Sequence, residues 1–117
     1  MMTSVLVSPQ GCYEYEASHG TVTRHYYQHL QGKPTSTNAV ATLFAWTGGL
    51  RKRGQLDGND ALAAFADKLE HATLATIEGG VMTGDLVAMC DGPARKVNTE
   101  EFIDAIAAML APLLEAQ

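Results

Sequence analysis

Glu16-Ala17-Ser18-His19-Gly20-Thr21-Val22-Thr23-Arg24-His25, with Gly32-Lys33-Pro34-Thr35-Ser36-Thr37-Asn38 soon after it, is the stretch that organises this chain. A strand is expected to end at Ala17, and the chain then enters a polar loop at His19-Gly20-Thr21. Gly20 has no side chain, so a ligand can approach its backbone closely. Thr21 and Thr23 bring hydroxyls, and the backbone on either side of Val22 brings N–H groups; such a loop suits a phosphate, above all where a helix begins. Arg24 offers a planar fork of donors matched to phosphate oxygens, and His25 adds another donor or a charge. His19 presents a flat ring that can stack on a heterocycle. The plain alternative is an ordinary satisfied loop with solvated charge, and the residues alone leave both readings open.

Upstream, the β-branched and aliphatic run Thr3–Val7 and the weakly alternating Cys12–Ala17 predict two strands joined by a turn at Ser8-Pro9-Gln10-Gly11. Two strands are marginal by themselves and call for a larger sheet. Downstream the pattern is helical. Thr37-Asn38 is expected to cap a helix from Ala39 to Arg51 that buries Val40, Leu43, Phe44 and Trp46. Asn59 or Asp60 caps the next, which carries Leu62, Phe65, Ala66, Leu69, Ala72 and Ile77 and ends at Gly79-Gly80. Thr83 caps a short helix reaching Cys90. Asn98 and Glu101 form a capping box for the last helix, whose apolar face is Phe102, Ile103, Ile106, Met109, Leu110, Leu113 and Leu114; Pro112 should kink it or end it early.

Composition narrows the function classes. At 117 residues, 46% apolar and 18% charged, the chain is sized for one modest folded domain. A net charge of -5 argues against general nucleic-acid binding, and the run Arg51-Lys52-Arg53 reads as a solvated helix surface. Cys12 and Cys90 lack metal-type spacing, which fits a reduced intracellular protein. No stretch has the length and apolarity of a membrane span. The carboxylates Glu14, Asp57, Asp60 and Asp104 sit in turns or on helix faces, where solvation or capping is the expected role. The helices are built to cover a sheet that these residues largely do not supply, so an exposed apolar patch is expected.

The runs His19–Tyr26 (HGTVTRHY) and Pro34–Asn38 (PTSTN), with Met2–Val7, Phe44–Thr47, Leu56-Asp57, Glu78-Gly79, Met82-Thr83 and Asp85-Leu86, resemble the C-terminal region of the eukaryotic-type, NADP-dependent isocitrate dehydrogenases over essentially the whole chain. The resemblance implies an α/β fold: the C-terminal, cofactor-binding part of the large domain over residues 1–117, here a β-hairpin followed by four or five amphipathic helices. It implies a parent enzyme that oxidises isocitrate to 2-oxoglutarate and CO₂ while reducing NADP, with Mg²⁺ or Mn²⁺ held by residues outside this chain, working as a homodimer; the expected location is the cytoplasm, with a mitochondrial or plastid form left open. Catalytic, substrate and metal residues are expected elsewhere, so the chain alone is expected to be inactive.

By the same resemblance Gly20, Thr21, Val22, Thr23, Arg24 and His25 form the loop around the adenosine half of NADP, and Arg24 with His25 holds the 2′-phosphate. His19 lies against the adenine, Asn38 bonds it with Thr37 alongside, and Asp85 approaches its amino group. Three positions depart from the family pattern: Ala39 for a common proline, Gly48 for a common basic residue and Gly84 for a common lysine, the last expected to weaken cofactor binding. Two other readings of the isolated chain stay open: a weak binder of NADP or 2′-phospho-ADP-ribose without chemistry, or a non-functional remnant.

Overall fold

The computed structural model describes residues 3–19, 23–33 and 35–115. The order of elements is β1 (Thr3–Val7), β2 (Tyr13–Ala17), α1 (Thr23–Leu30), α2 (Val40–Asp57), α3 (Asp60–Glu78), β3 (Val81–Met82), α4 (Gly84–Ala88), β4 (Arg95–Lys96) and α5 (Thr99–Glu115). The mixed α/β architecture, a hairpin followed by five helices, is the one expected.

β1 and β2 pair antiparallel, from Thr3 opposite Ala17 to Val7 opposite Tyr13. Their turn closes where predicted. The Ser8 N–H donates to the Cys12 carbonyl at 2.9 Å, and the Gly11 N–H to the Ser8 carbonyl at 3.1 Å. Gly11 sits at φ 87°, in the left-handed region that only glycine enters without strain.

α2 lies between the hairpin and α3 and packs against both. Its buried residues therefore do not form one stripe, and Trp46 is 66% exposed instead of joining the core. Trp46 instead borders a groove of about 500 Å³ with Tyr13, Tyr15 and Leu50. α2 also runs six residues past the expected stop at Arg51, because Arg51-Lys52-Arg53 are good helix formers and Arg53 pairs with Asp57 one turn on. Gly58, at φ 67°, ends it, with the Asn59 N–H returning to the Gly54 carbonyl at 2.7 Å.

The close approach of hairpin and helix depends on Gly48. A Cβ there would lie 2.8 Å from both Cδ1 and Cε1 of Tyr15. The glycine at this position thus makes room for the Tyr15 ring. Between α2 and α3, the buried Thr47 hydroxyl bonds the Glu70 carboxylate, and Arg51 bridges Asp67 at 2.8 Å and Glu70 at 3.0 Å. Burial opposes the Arg51 charge, but hydrogen bonds and charges from Asp67 and Glu70 outweigh it and hold the guanidinium's pKa up.

Asn59 caps α3 through its side-chain oxygen, which accepts from the Leu62 N–H at 3.2 Å. The core gathers Val40, Ala72, Val97, Phe102 and Ile106, with Leu43, Phe44, Leu69, Ile77, Leu110 and Leu113 packed around them. In α5 this narrows the expected face: Ile103, Met109 and Leu114 are exposed. Pro112 does not end α5, which continues to Glu115; the proline only withholds one N–H near the last turn. The capping box forms as read, with the Glu101 N–H donating to Asn98 Oδ1 at 2.8 Å and the Asn98 N–H to Glu101 Oε1 at 3.1 Å.

The two-residue parallel pair β3–β4, Val81 opposite Arg95 and Met82 opposite Lys96, was not anticipated. The expected exposed apolar surface is present on the hairpin, where Val5, Leu6 and Val7 are all exposed.

Candidate functional site

Residues 35–39 are the hub of the molecule's polar contacts. The Ser36 hydroxyl donates to the Val97 carbonyl at 2.6 Å and accepts from the Gly84 N–H at 2.9 Å. The Thr37 N–H donates to Thr99 Oγ1 at 2.8 Å, and that hydroxyl returns to the Thr37 carbonyl at 3.0 Å. The Thr99 N–H donates to the Thr35 carbonyl at 3.3 Å. Short hydroxylated side chains suit this work, because each reaches backbone groups that no helix or sheet satisfies here. One strap thereby joins α1, α4, β4 and the start of α5.

Two branches leave the strap. On one, Thr37 Oγ1 lies 2.6 Å from Nδ1 of the half-buried His25. When the hydroxyl donates to Nδ1, the neutral ring carries its proton on Nε2; when the ring is charged, Nε2 again carries a proton. Both states present an N–H donor on the side away from Thr37, whereas the other neutral tautomer donates from Nδ1 to the Thr37 hydroxyl and leaves Nε2 an acceptor. On the other branch, Asn38 Nδ2 donates to Asp85 Oδ2 at 2.7 Å while Asn38 Oδ1 accepts from the Val40 N–H at 2.9 Å. These two partners fix the amide orientation, and Asn38 keeps a second amide N–H for a ligand.

Asp85 is held from several sides. The Thr83 hydroxyl donates to Oδ1 at 2.8 Å, so Thr83 bonds this carboxylate and not a backbone N–H of the helix it was expected to cap. Burial raises the Asp85 pKa, but hydrogen bonds from Asn38, Thr83 and the backbone N–H groups of Leu86 and Asp85 itself outweigh it, and the carboxylate ends below its ordinary value. It is an anion with a fixed orientation.

Beside the His25 branch is a cleft of about 620 Å³, lined by His25, His29, Lys33, Thr35, Thr37 and Glu100 among others. His29 and Lys33 escaped the sequence reading. The signal was available: His29 is four residues after His25 on α1, hence on the same helix face.

The ten residues singled out in the sequence are distributed as follows. His25 meets Thr37, and Asn38 meets Asp85. Thr23, Arg24 and His25 belong to the first turn of α1, not to a loop. Arg24 is exposed and does not line the cleft with His25, since neighbouring helical residues point about 100° apart. Both side chains nevertheless leave the first turn of α1, where the Cα–Cβ bonds tilt toward the helix N-terminus. His19 is exposed just beyond β2. Gly20, Thr21 and Val22 lie outside the described residues. Among the described residues no three His, Cys, Asp or Glu gather as metal ligands, and no helix is long and apolar enough to cross a membrane.

Residues 1–106 match the family profile described as isocitrate/isopropylmalate dehydrogenase. The chain belongs to that family. Among its relatives, isocitrate dehydrogenase [NADP] 1 of Mycobacterium tuberculosis is 54% identical over 108 residues, covering 92% of this chain and 26% of the relative. A peroxisomal isocitrate dehydrogenase [NADP] of Arabidopsis thaliana is 54% identical over 112 residues, covering 92% and 27%. A mitochondrial isocitrate dehydrogenase [NADP] of Sus scrofa is 48% identical over 124 residues, covering 100% and 30%. The chain thus spans between a quarter and a third of the length of these isocitrate dehydrogenases, all named for NADP.

Proposed function

We propose that this chain supplies the adenosine end of the cofactor site in an NADP-dependent isocitrate dehydrogenase, as the C-terminal part of its large domain. The observation that carries the proposal is the strap at 35–39, which ties the His25 ring and the Asn38–Asp85 pair to one rigid segment. The donor set fits the cofactor. A 2′-phosphate needs fixed N–H and cationic donors; the His25 ring and the Arg24 guanidinium are the groups proposed to provide them. Adenine needs a donor and an acceptor side by side; the second N–H of Asn38 and the Asp85 carboxylate provide these. His19 is proposed to lie against the base, Thr37 orients His25, and Gly20, Thr21, Val22 and Thr23 are proposed as further contacts to the adenosine half.

Discrimination against NAD follows from the same donors. NAD leaves Arg24 and His25 without an anion, so the binding difference between the dinucleotides is the energy of those charge-assisted bonds. NADP, when bound, accepts a hydride from isocitrate; the groups on this chain hold and orient the far end of the molecule and touch no reacting atom. Residues outside these 117 are proposed to bind isocitrate and the Mg²⁺ or Mn²⁺ ion and to complete a homodimer, and the 117 residues alone are proposed to be inactive. A cytoplasmic location remains part of the proposal, although relatives' names include mitochondrial and peroxisomal forms.

The test is isocitrate-dependent NADPH formation by the gene product that carries this sequence. Adenosine 2′,5′-bisphosphate should compete with NADP and adenosine 5′-phosphate should not. An active product equally inhibited by both would remove the 2′-phosphate reading.

A further inference from the structure

Gly84 opens α4 directly before Asp85, and the space a side chain would fill there is taken by Lys96. A Cβ on residue 84 would lie 2.9 Å from Lys96 Cε, 3.5 Å from its Nζ and 3.7 Å from its Cδ. The backbone arranges this overlap. Lys96 sits in β4 opposite Met82 of β3, so its stem leaves the short sheet beside Thr83 and crosses the first turn of α4. Ser36 holds the two crossing segments together, bonding the Gly84 N–H on one side and the Val97 carbonyl, next to Lys96, on the other.

Charge does not explain the position. An ammonium at the N-terminal end of a helix meets the unfavourable end of the backbone dipoles. Among the described residues Lys96 forms no ion pair. Its methylene stem, lying on the bare Gly84 backbone, keeps it there while the head stays at the surface. The head lies 3.5 Å from where a Cβ on residue 84, the chain neighbour of Asp85, would stand.

We infer that Lys96 is a specificity-determining contact for the base of the cofactor, donating to a ring nitrogen of adenine while Asp85 accepts from the amino group next to it. The inference rests on the adenosine reading of Asn38 and Asp85. Adenine presents an amino donor beside ring-nitrogen acceptors, and a carboxylate with an ammonium on one side of it is the complement of that pattern. The departure at position 84 agrees. A lysine at 84 and the observed Lys96 would compete for the same space, so Gly84 exchanges one source of ammonium for another and need not weaken the site.

The experiment is calorimetry on the folded chain with NADP, and with NAD by competition, for Lys96→Met and for Gly84→Lys/Lys96→Ala. Lys96→Met keeps the stem on Gly84 and removes only the charge. It should weaken both dinucleotides by the same factor, about five- to tenfold, leaving their ratio unchanged. The double variant should return to within about threefold of the parent, which a purely structural role for the Lys96 stem would not produce. Unchanged affinity in Lys96→Met, a loss confined to NADP, or failure of the double variant to recover would each overturn the role at the base. Arg24→Ala separates the two readings: if it alone loses NADP preference while Lys96→Met changes nothing, the phosphate site stands and Lys96 is excluded. A parent chain that binds neither dinucleotide overturns both.

Discussion

Adjacent glycines in the middle of α2 should respond to the same substitution with opposite signs. In a helix interior, replacing glycine by alanine ordinarily stabilises by ~0.5–1 kcal/mol, because glycine loses more backbone freedom on folding. At Gly49 the new methyl would meet Tyr15 Cδ2 at 3.8 Å, an ordinary contact, so Gly49→Ala should deliver that full gain. At Gly48 it would lie 2.8 Å from two carbons in the body of the Tyr15 ring, which must then move off the helix. Overpacking of this kind costs ~1–3 kcal/mol. The net for Gly48→Ala is therefore a loss of ~0–2 kcal/mol, and the two variants should differ by ~1–3 kcal/mol. Urea unfolding followed by far-ultraviolet circular dichroism measures both. In a Tyr15→Ala background the penalty should vanish and Gly48→Ala should gain like Gly49→Ala. Equal stabilisation by the two substitutions with Tyr15 present would refute the account of how the hairpin seats on α2.

Two further outcomes follow from the strap. The Asp85 carboxylate has a lowered pKa, so its contribution to stability is fully present above the ordinary value of 3.8 and is lost as pH falls through the lowered one; the stability gap between the parent and Asp85→Asn should therefore close only in acid, and a gap that closes near neutrality would contradict it. Ser36→Ala strips one partner from both the Val97 carbonyl and the Gly84 N–H and should cost ~1–3 kcal/mol in thermal or urea unfolding while also weakening NADP; a loss below ~0.5 kcal/mol would show that water replaces the hydroxyl freely.

The hairpin, the caps at Asn59 and Asn98 and the extent of α3 were legible because each depends on local chemistry: a turn with glycine past its corner, a polar cap, a repeating apolar stripe. α2 was misread because it is sandwiched. Two packed faces blur the stripe, and the end of the helix is set by Gly58, seven residues beyond the basic run's first arginine. β3 and β4 are two residues long and pair across α4, too short for any periodicity to register. In the site, HGTVTRH and TSTN stood out as donor-rich segments. The contacts of His25 with Thr37 and of Asn38 with Asp85 needed the fold, since 12 and 47 residues separate the partners. The contact of Lys96 with Gly84, on which its proposed role rests, could not be read from the sequence, because it depends on an absent side chain on a different element.

The central claim is that Arg24 and His25 recognise the phosphate that distinguishes NADP from NAD. The most direct measurement is the pair of dissociation constants for the two dinucleotides, before and after Arg24→Ala. The account predicts a clear preference for NADP in the parent chain, a loss of about 10- to 100-fold for NADP in the variant, and NAD changed by less than about twofold. Equal affinity for both dinucleotides in the parent, or an Arg24→Ala variant that binds NADP as before, would contradict it.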